Sequence, residues 1–491
     1  MAGTEHVISV EELLSRKVNV VRTEAAQTSR SGNDGSRIEV QVIEKDSPRQ
    51  QWLDELEKAG DEAADQKTGP KIQKVPFLLR DHKDAAKYFE PRVVSLGPIH
   101  HGKPKYRKAE KYKLVLANKF VKESGKDKKA ESLYAEIEKK IKKLREYFDD
   151  DEEVMKNYDD EYLARMLFVD GCAVLQFMYY AVEDKFKDVK IKDDQAAFGQ
   201  EDLFLLENQL PYQLLEDLME LSEKKGILKN SIERFIERHA TFHTKNDMHA
   251  TKGDKPAPHL LDRLRTKLLG GKSESGGQKG QTAGWYSYRN VRELREVGIK
   301  LKPSKTSSLT DVSFDKRYPG HLYLPLIKVD DSTGPNFLNL IAYEMCPDFE
   351  NDFGVTSYIC FLDSLIDHPE DVTELRKEFI LHNLLGSDKE VAKLFNDIAT
   401  DLVPNPQTYS EVKGQIQMMC DSKWRTWIAA VTGKYFNIQD QYFSARWGII
   451  TFLVSTLVTA YLSVIQTRYA AQQTWYAAHP PPGPCDDFCK K

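Results

Sequence analysis

Residues Asp202–Leu221 read DLFLLENQLPYQLLEDLMEL. At 100° per residue, Leu203, Leu206, Leu210, Leu214, Leu218 and Leu221 fall on one face while Phe204, Leu205 and Leu215 cover other sides. This predicts a helix buried around most of its circumference. Glu207 lies on the same apolar face. A buried carboxylate must find a cation or a donor, or keep its proton, because a lone interior charge costs several kcal/mol. Pro211 lacks an N–H and its ring collides with the carbonyl of Glu207. A kink or restart is therefore expected near Gln209, with Pro211 in the first turn of the second half. The freed backbone would lie beside Glu207, Asn208 and Gln209, a polar knot inside an apolar helix.

Residues 161–180, EYLARMLFVDGCAVLQFMYY, give that helix a companion. Leu163, Met166, Leu167, Val174 and Phe177 share a face, and Asp170 lies within it. Two inward carboxylates admit two readings. In one, Asp170 and Glu207 form an acid/base pair with His100 or His101 as proton carrier and Asn208 or Gln209 as donors, as an enzyme of hydrolase type would need. In the other, Arg80, Lys113, Asp170, Glu207, Asn208 and Gln209 form a satisfied polar network that pins the helices to the PIHHG turn. Arg80, Lys113 or a histidine would then neutralise the acids. The network is favoured, since there is no nucleophile elbow, phosphate loop or metal-ligand spacing. His100 and His101 are adjacent and need not converge on one ion, so neither a metal nor a cofactor is expected.

Outward from this centre, 491 residues that are 40% hydrophobic and 30% charged suggest one core with much polar appendage. Residues 1–71 read as a mostly disordered tail with short amphipathic pieces such as WLDELEKA. The folded domain is expected over 72–440. Six scattered cysteines, with Cys485 and Cys489 in the tail, make no disulfide framework and fit a reducing compartment. From Lys103 to Arg145 there are sixteen Lys/Arg against six Asp/Glu. That run is either a patch for phosphate or an acidic partner, or the solvated faces of helices such as IEKKIKKLREYF. The solvated-face reading is favoured and nucleic acid is not expected, because no aromatic interleaving or nucleic-acid motif accompanies the charge. Residues 239–284 read as an exposed low-complexity insertion around a short helix, HLLDRLRTKLL. Further on, 291–297 reads as a helix ended by Gly298, and IKLK and HLYLPLIKV as strands, Pro325 confining the latter to an edge or bulge. FLNLIAYEM, TSYICFLDSLI, PEDVTELRKEFILHNLL, DKEVAKLFNDIATDL and 409–432 read as helices, with Ser387 and Glu390 as a capping box. The fold class is therefore mainly α with a small β-sheet.

Trp447–Ile465, WGIITFLVSTLVTAYLSVI, carries no charge across nineteen residues and is bracketed by Arg446 and Arg468. A single C-terminal transmembrane helix over 446–466 is expected, followed by a polar tail, 467–491. Without a visible secretory signal and with the span so near the end, the large domain is expected in the cytosol. Lys434 and Arg446 before the span agree with the positive-inside rule. Thr451, Ser455, Thr459 and Ser463 recur every four residues on one side of the span. They either join two helices in a homodimer or bond back to their own carbonyls.

A wider pattern then emerges. VPFLLR, YFEPRVVSLGPIHHG, VDGCAVLQF, DLFLLENQLPYQLL, VRELREVGIKLK, NLIAYE and the C-terminal span follow one another in an order similar to that of the plant proteins grouped as domain of unknown function 247. The resemblance covers about 72–466. Val291 and Arg292 depart from the Ala-Thr usual there, and the 270–284 loop is longer. The resemblance attaches no reaction to the chain. Because some grass members are linked to pollen self-incompatibility, it implies a membrane-held protein that recognises a protein partner.

Overall fold

The computed structural model describes residues 48–65, 69–81, 84–126, 129–149, 154–240, 257–270, 289–317, 319–350, 352–421 and 445–478. The chain divides into two units, Met1–Lys67 and Thr68–Lys491. In the first, Pro48–Asp65 is a helix, longer than the tail reading suggested. Pro48 suits a first helical position, and Trp52, Leu53 and Leu56 recur at helical spacing. The disorder expected over 1–47 lies outside the described residues.

The second unit is mainly helical and is organised around Asp160–Glu183, the central helix. Asp159 caps its start by accepting from the N–H of Tyr162 at 2.8 Å, acidic residues fill its first turn, and most of its length is buried. It is long and apolar enough to cross a membrane by composition, but it is the core helix of this unit. Arg107–Glu123 makes its longest packing contact with it, and Lys225–Ala240, Ala130–Glu138 and Tyr212–Glu220 pack on its other sides. The approach of Tyr212–Glu220 depends on Gly171, where an added Cβ would lie 2.7 Å from a methyl carbon of Leu218. The expected IEKKIKKLREYF helix is divided into Ala130–Glu138 and Ile141–Arg145.

Two small sheets follow. In the first, β1 (Ile299–Pro303), β2 (Ser313–Asp315) and β3 (Gly320–Leu324) lie in the order β1-β3-β2, with β1 and β3 parallel. In the second, β4 (Ile327–Val329) pairs in parallel with β5 (Leu381–Asn383). Thr333–Glu344, Gly354–Leu365, Pro369–Lys377 and Asp388–Ile398 complete one continuous apolar core with the first half.

Several expectations are corrected. Asp202–Leu221 is not one helix: a helix ends at Asp202, a 3-10 turn covers Leu206–Asn208, and a new helix starts at Tyr212 with Pro211 as its cap rather than in its first turn. Every residue from Asp202 to Tyr212 is buried, so leucines needed on all sides imitate helical spacing without a helix. HLYLPLIKV is two strands, because Pro325 ends the ladder and the chain passes from the middle of one sheet into the other. PEDVTELRKEFILHNLL ends as β5 after its helix stops at Lys377. Finally, Leu260–Leu268 is no exposed insertion helix: Leu260, Leu261, Leu264, Arg265 and Leu268 are buried. The flanking runs 241–256 and 271–288 lie outside the described residues. At Asp388–Ile398, Ser387 accepts from the N–H of Glu390, while the Glu390 carboxylate returns to the N–H of Gly386 instead of closing a box on Ser387.

Ala445–Ala478 forms a single helix. Its apolar side chains from Phe452 to Val464 are exposed, Phe452 and Leu457 at 70%.

Candidate functional site

The break between Asp202 and Tyr212 creates a polar centre, because non-helical backbone there needs partners that the helix ladder no longer supplies. Side chains of the same segment provide them. Asn208 accepts from the N–H of Leu96 at 2.7 Å and donates to the carbonyls of Asp202 and Val94 at 2.8 and 3.1 Å. Gln209 donates to the carbonyls of Leu203 and Leu205, both at 2.8 Å, and accepts from the N–H of Leu261 at 3.0 Å. Asp202 gathers the N–H groups of Arg92, Val93 and Val94 within 2.9 Å. Burial pushes the Asp202 carboxyl up, and those three amides oppose the rise. Gly97, at φ +62°, lets the PIHHG segment pass close by: a Cβ there would stand 3.1 Å from the Gln209 carbonyl.

Glu207 and Asp170 each have their own cation. Glu207 Oε1 accepts from the N–H of Val75 at 2.9 Å and from Arg80 at 2.6 Å. His100 Nε2 lies 2.9 Å from Glu207 Oε2, but it is not aligned as a hydrogen bond, so it acts as a close polar contact. Lys103, which can only donate as an ammonium, is 2.8 Å from His100 Nδ1, placing the ring proton on Nε2 toward Glu207. Burial would raise the Glu207 carboxyl, yet His100, the Val75 amide and the Arg80 charge together hold it below the usual carboxylate range. Asp170 meets Lys113 at 2.6 Å and the N–H of Gly97 at 3.0 Å. Lys113 also reaches Glu110 at 2.8 Å and the Ser95 carbonyl at 2.9 Å. Burial disfavours the Lys113 charge, but Asp170 and Glu110 outweigh it and hold the ammonium above its usual range. Asp170 is pushed up by burial against the same ion pair.

Glu207 and Asp170 are thus held by separate partners, Arg80 and the Val75 amide for the one and Lys113 and the Gly97 amide for the other. His101 turns away, 3.0 Å from the Tyr162 hydroxyl and edge-on to Tyr158. A cavity of about 220 Å³ in the unit is lined by Lys113 but not by Glu207, Asp170, His100 or His101. In the terminal helix, Thr459 and Ser463 donate to the carbonyls of Ser455 and Thr459 at 2.6 and 2.9 Å, the local alternative to pairing between helices. The side chain of Thr451 and both tail cysteines lie outside the described residues.

Two further centres were missed in the sequence. Asn339, fully buried, accepts from the N–H of Leu206 at 2.8 Å and donates to the carbonyls of Tyr88 and Pro335, tying the NLIAYE helix to the break. Glu344 in the same helix pairs with Arg265 at 2.7 Å and accepts from the Val355 and Thr356 amides and the Thr356 hydroxyl. The signal that singled out Glu207, one polar residue on an apolar face, is present at Asn339 and Glu344 too.

The order of these segments along the chain has a counterpart. A family profile described as "Plant protein of unknown function", DUF247, matches residues 72–460. The chain belongs to the DUF247 family. Among curated relatives, the UPF0481 protein At3g47200 of Arabidopsis thaliana is 28% identical over 364 residues, covering 65% of this chain and 70% of its own length. The UPF0481 protein At3g02645 of the same plant is 26% identical over 176 residues, 36% of this chain and 32% of its own. No solved structure matches the chain. In this DUF247 protein the family region opens where Ile72 donates to the Tyr147 carbonyl at 2.7 Å, and every residue of the polar centre lies inside it.

Proposed function

We propose that this DUF247 protein is a single-pass membrane protein whose large helical domain acts by binding a protein partner, in self-incompatibility or related signalling. The observation that carries the binding reading is the closed polar centre: the carboxylates best suited to catalysis are buried and engaged by backbone amides and their own cations. A general acid or base must reach a substrate proton, and these oxygens are already taken up within the fold. Anchoring draws support from Ala445–Ala478, a helix whose exposed side chains from Phe452 to Val464 include a long uncharged apolar stretch. The large domain faces the cytosol.

Protease treatment of sealed membrane vesicles carrying the full chain tests anchoring and orientation together. With cytosolic-face-out vesicles, the domain is expected to be digested while the vesicles stay intact, and the chain to stay in the pellet after an alkaline wash. Protection of the domain until detergent is added would reverse the orientation, and release by the wash would end the anchoring proposal.

A further inference from the structure

We propose that the cleft between Arg107–Glu123, the central helix and Asp193–Asp202 binds a small amphipathic organic anion, an apolar body about the size of two fused rings bearing a carboxylate. The cleft holds about 220 Å³. A cavity of about 150 Å³ lined by aliphatic and aromatic side chains accepts benzene, so this one has room for a larger ring system. Leu96, Leu116, Val174, Phe177 and Leu203 supply an apolar floor. A fully hydrated ion such as free phosphate would leave that floor unused, whereas a fused ring covers it.

The charged side chains that line the cleft are all cations. Arg92, Lys105, Lys108 and Lys113 line it, and no aspartate or glutamate does. Three of these cations already have carboxylate partners around the cleft: Lys113 with Asp170 at 2.6 Å, Lys105 with Glu90 at 2.6 Å and Arg92 with Glu201 at 3.2 Å. Lys108 has no ion-pair partner among the described residues, and the Tyr112 hydroxyl and the Gln195 side-chain amide have no hydrogen-bond partner there. Lys108 is exposed and the other two are half-buried, so an ammonium, a hydroxyl and an amide border the solvent side of an apolar chamber. That is the distribution a carboxylate on a hydrophobic body would complete: ring inside, charge at the opening. The basic run Lys103–Arg145, which supplies Lys105, Lys108 and Lys113, would draw such an anion toward the opening.

The test is isothermal titration of the full chain in lipid nanodiscs, with empty nanodiscs as blank, using naphthalene-2-carboxylate and the neutral naphthalene-2-carboxamide. The carboxylate is expected to bind one to one, and the carboxamide about tenfold more weakly. Lys108→Glu, a change at an exposed position, should reduce carboxylate affinity by about tenfold or more and leave carboxamide binding nearly unchanged. Ala109→Leu, which adds bulk from a buried wall position, should abolish binding of both probes with no loss of melting temperature. Absence of carboxylate binding to the wild type, equal affinity for the two probes, or a Lys108→Glu protein that binds the carboxylate as the wild type does would overturn the proposal.

Discussion

Glu207→Ala is expected to destabilise the large domain by about 3 kcal/mol, because it removes the acceptor of the Val75 amide and of Arg80 and the anion beside His100. The figure sits at the lower end for a broken buried pair because Arg80 is 42% exposed and can rehydrate. The pH dependence follows from the direction of the shift. Glu207 is held below its ordinary value in the fold, so its contribution is complete above the free glutamate value of about 4.3 and is lost as the pH falls through the lower folded value. Denaturant melts of wild type and mutant should therefore differ most at neutral pH and converge in acid. An unchanged midpoint at neutral pH would remove Glu207 from the structural network and reopen a catalytic role.

A larger loss is expected at Arg265→Met, about 4–5 kcal/mol, since the side chains of Arg265 and Glu344 are only 8% and 0% exposed and no water can replace the missing partner. Burial already pushes the Glu344 carboxyl up, and Arg265 is the charge that opposes it most. Without the guanidinium the folded-state carboxyl rises further and takes a proton. A raised folded value gives stability that is present at low pH and lost as pH rises through it, so the deficit of Arg265→Met should shrink on acidification. The double change Arg265→Met with Glu344→Leu should lose less than Arg265→Met alone, because no buried charge is stranded. If the two single losses simply add, the pair is not coupled and the assignment fails.

How much of this was legible in the sequence depends on what each residue does. Glu207, Asn208 and Gln209 stand out because each is polar within a leucine run, and that contrast is visible without knowing the backbone. The backbone itself was hidden. Leucines on every side suit a helix and a fully buried extended segment equally, so only Pro211 signalled the break, and it did not show that helix ends as early as Asp202. Asp202 looked like a helix start, whereas it ends a helix and collects three amides from a segment 108–110 residues away in sequence. The same limit explains Arg265. Low-complexity flanks made HLLDRLRTKLL look like an insertion, but its partner Glu344 is 79 residues away and no local pattern links them. By contrast, Asn290–Gly298 was readable because its cap, helix and terminating glycine at φ +86° are all local.

Side chains from Asp202–Gln209 and Asn339 replace the missing backbone ladder and lock the domain together. Hydrogen exchange at the amides of Val75, Leu96, Leu206 and Leu261 reads this out, since their acceptors are Glu207, Asn208, Asn339 and Gln209 at 2.9, 2.7, 2.8 and 3.0 Å. These four amides are expected to exchange only through global unfolding, with the same free energy as amides in the middle of the central helix. Exchange at the rate of unprotected loop amides would contradict this locking role.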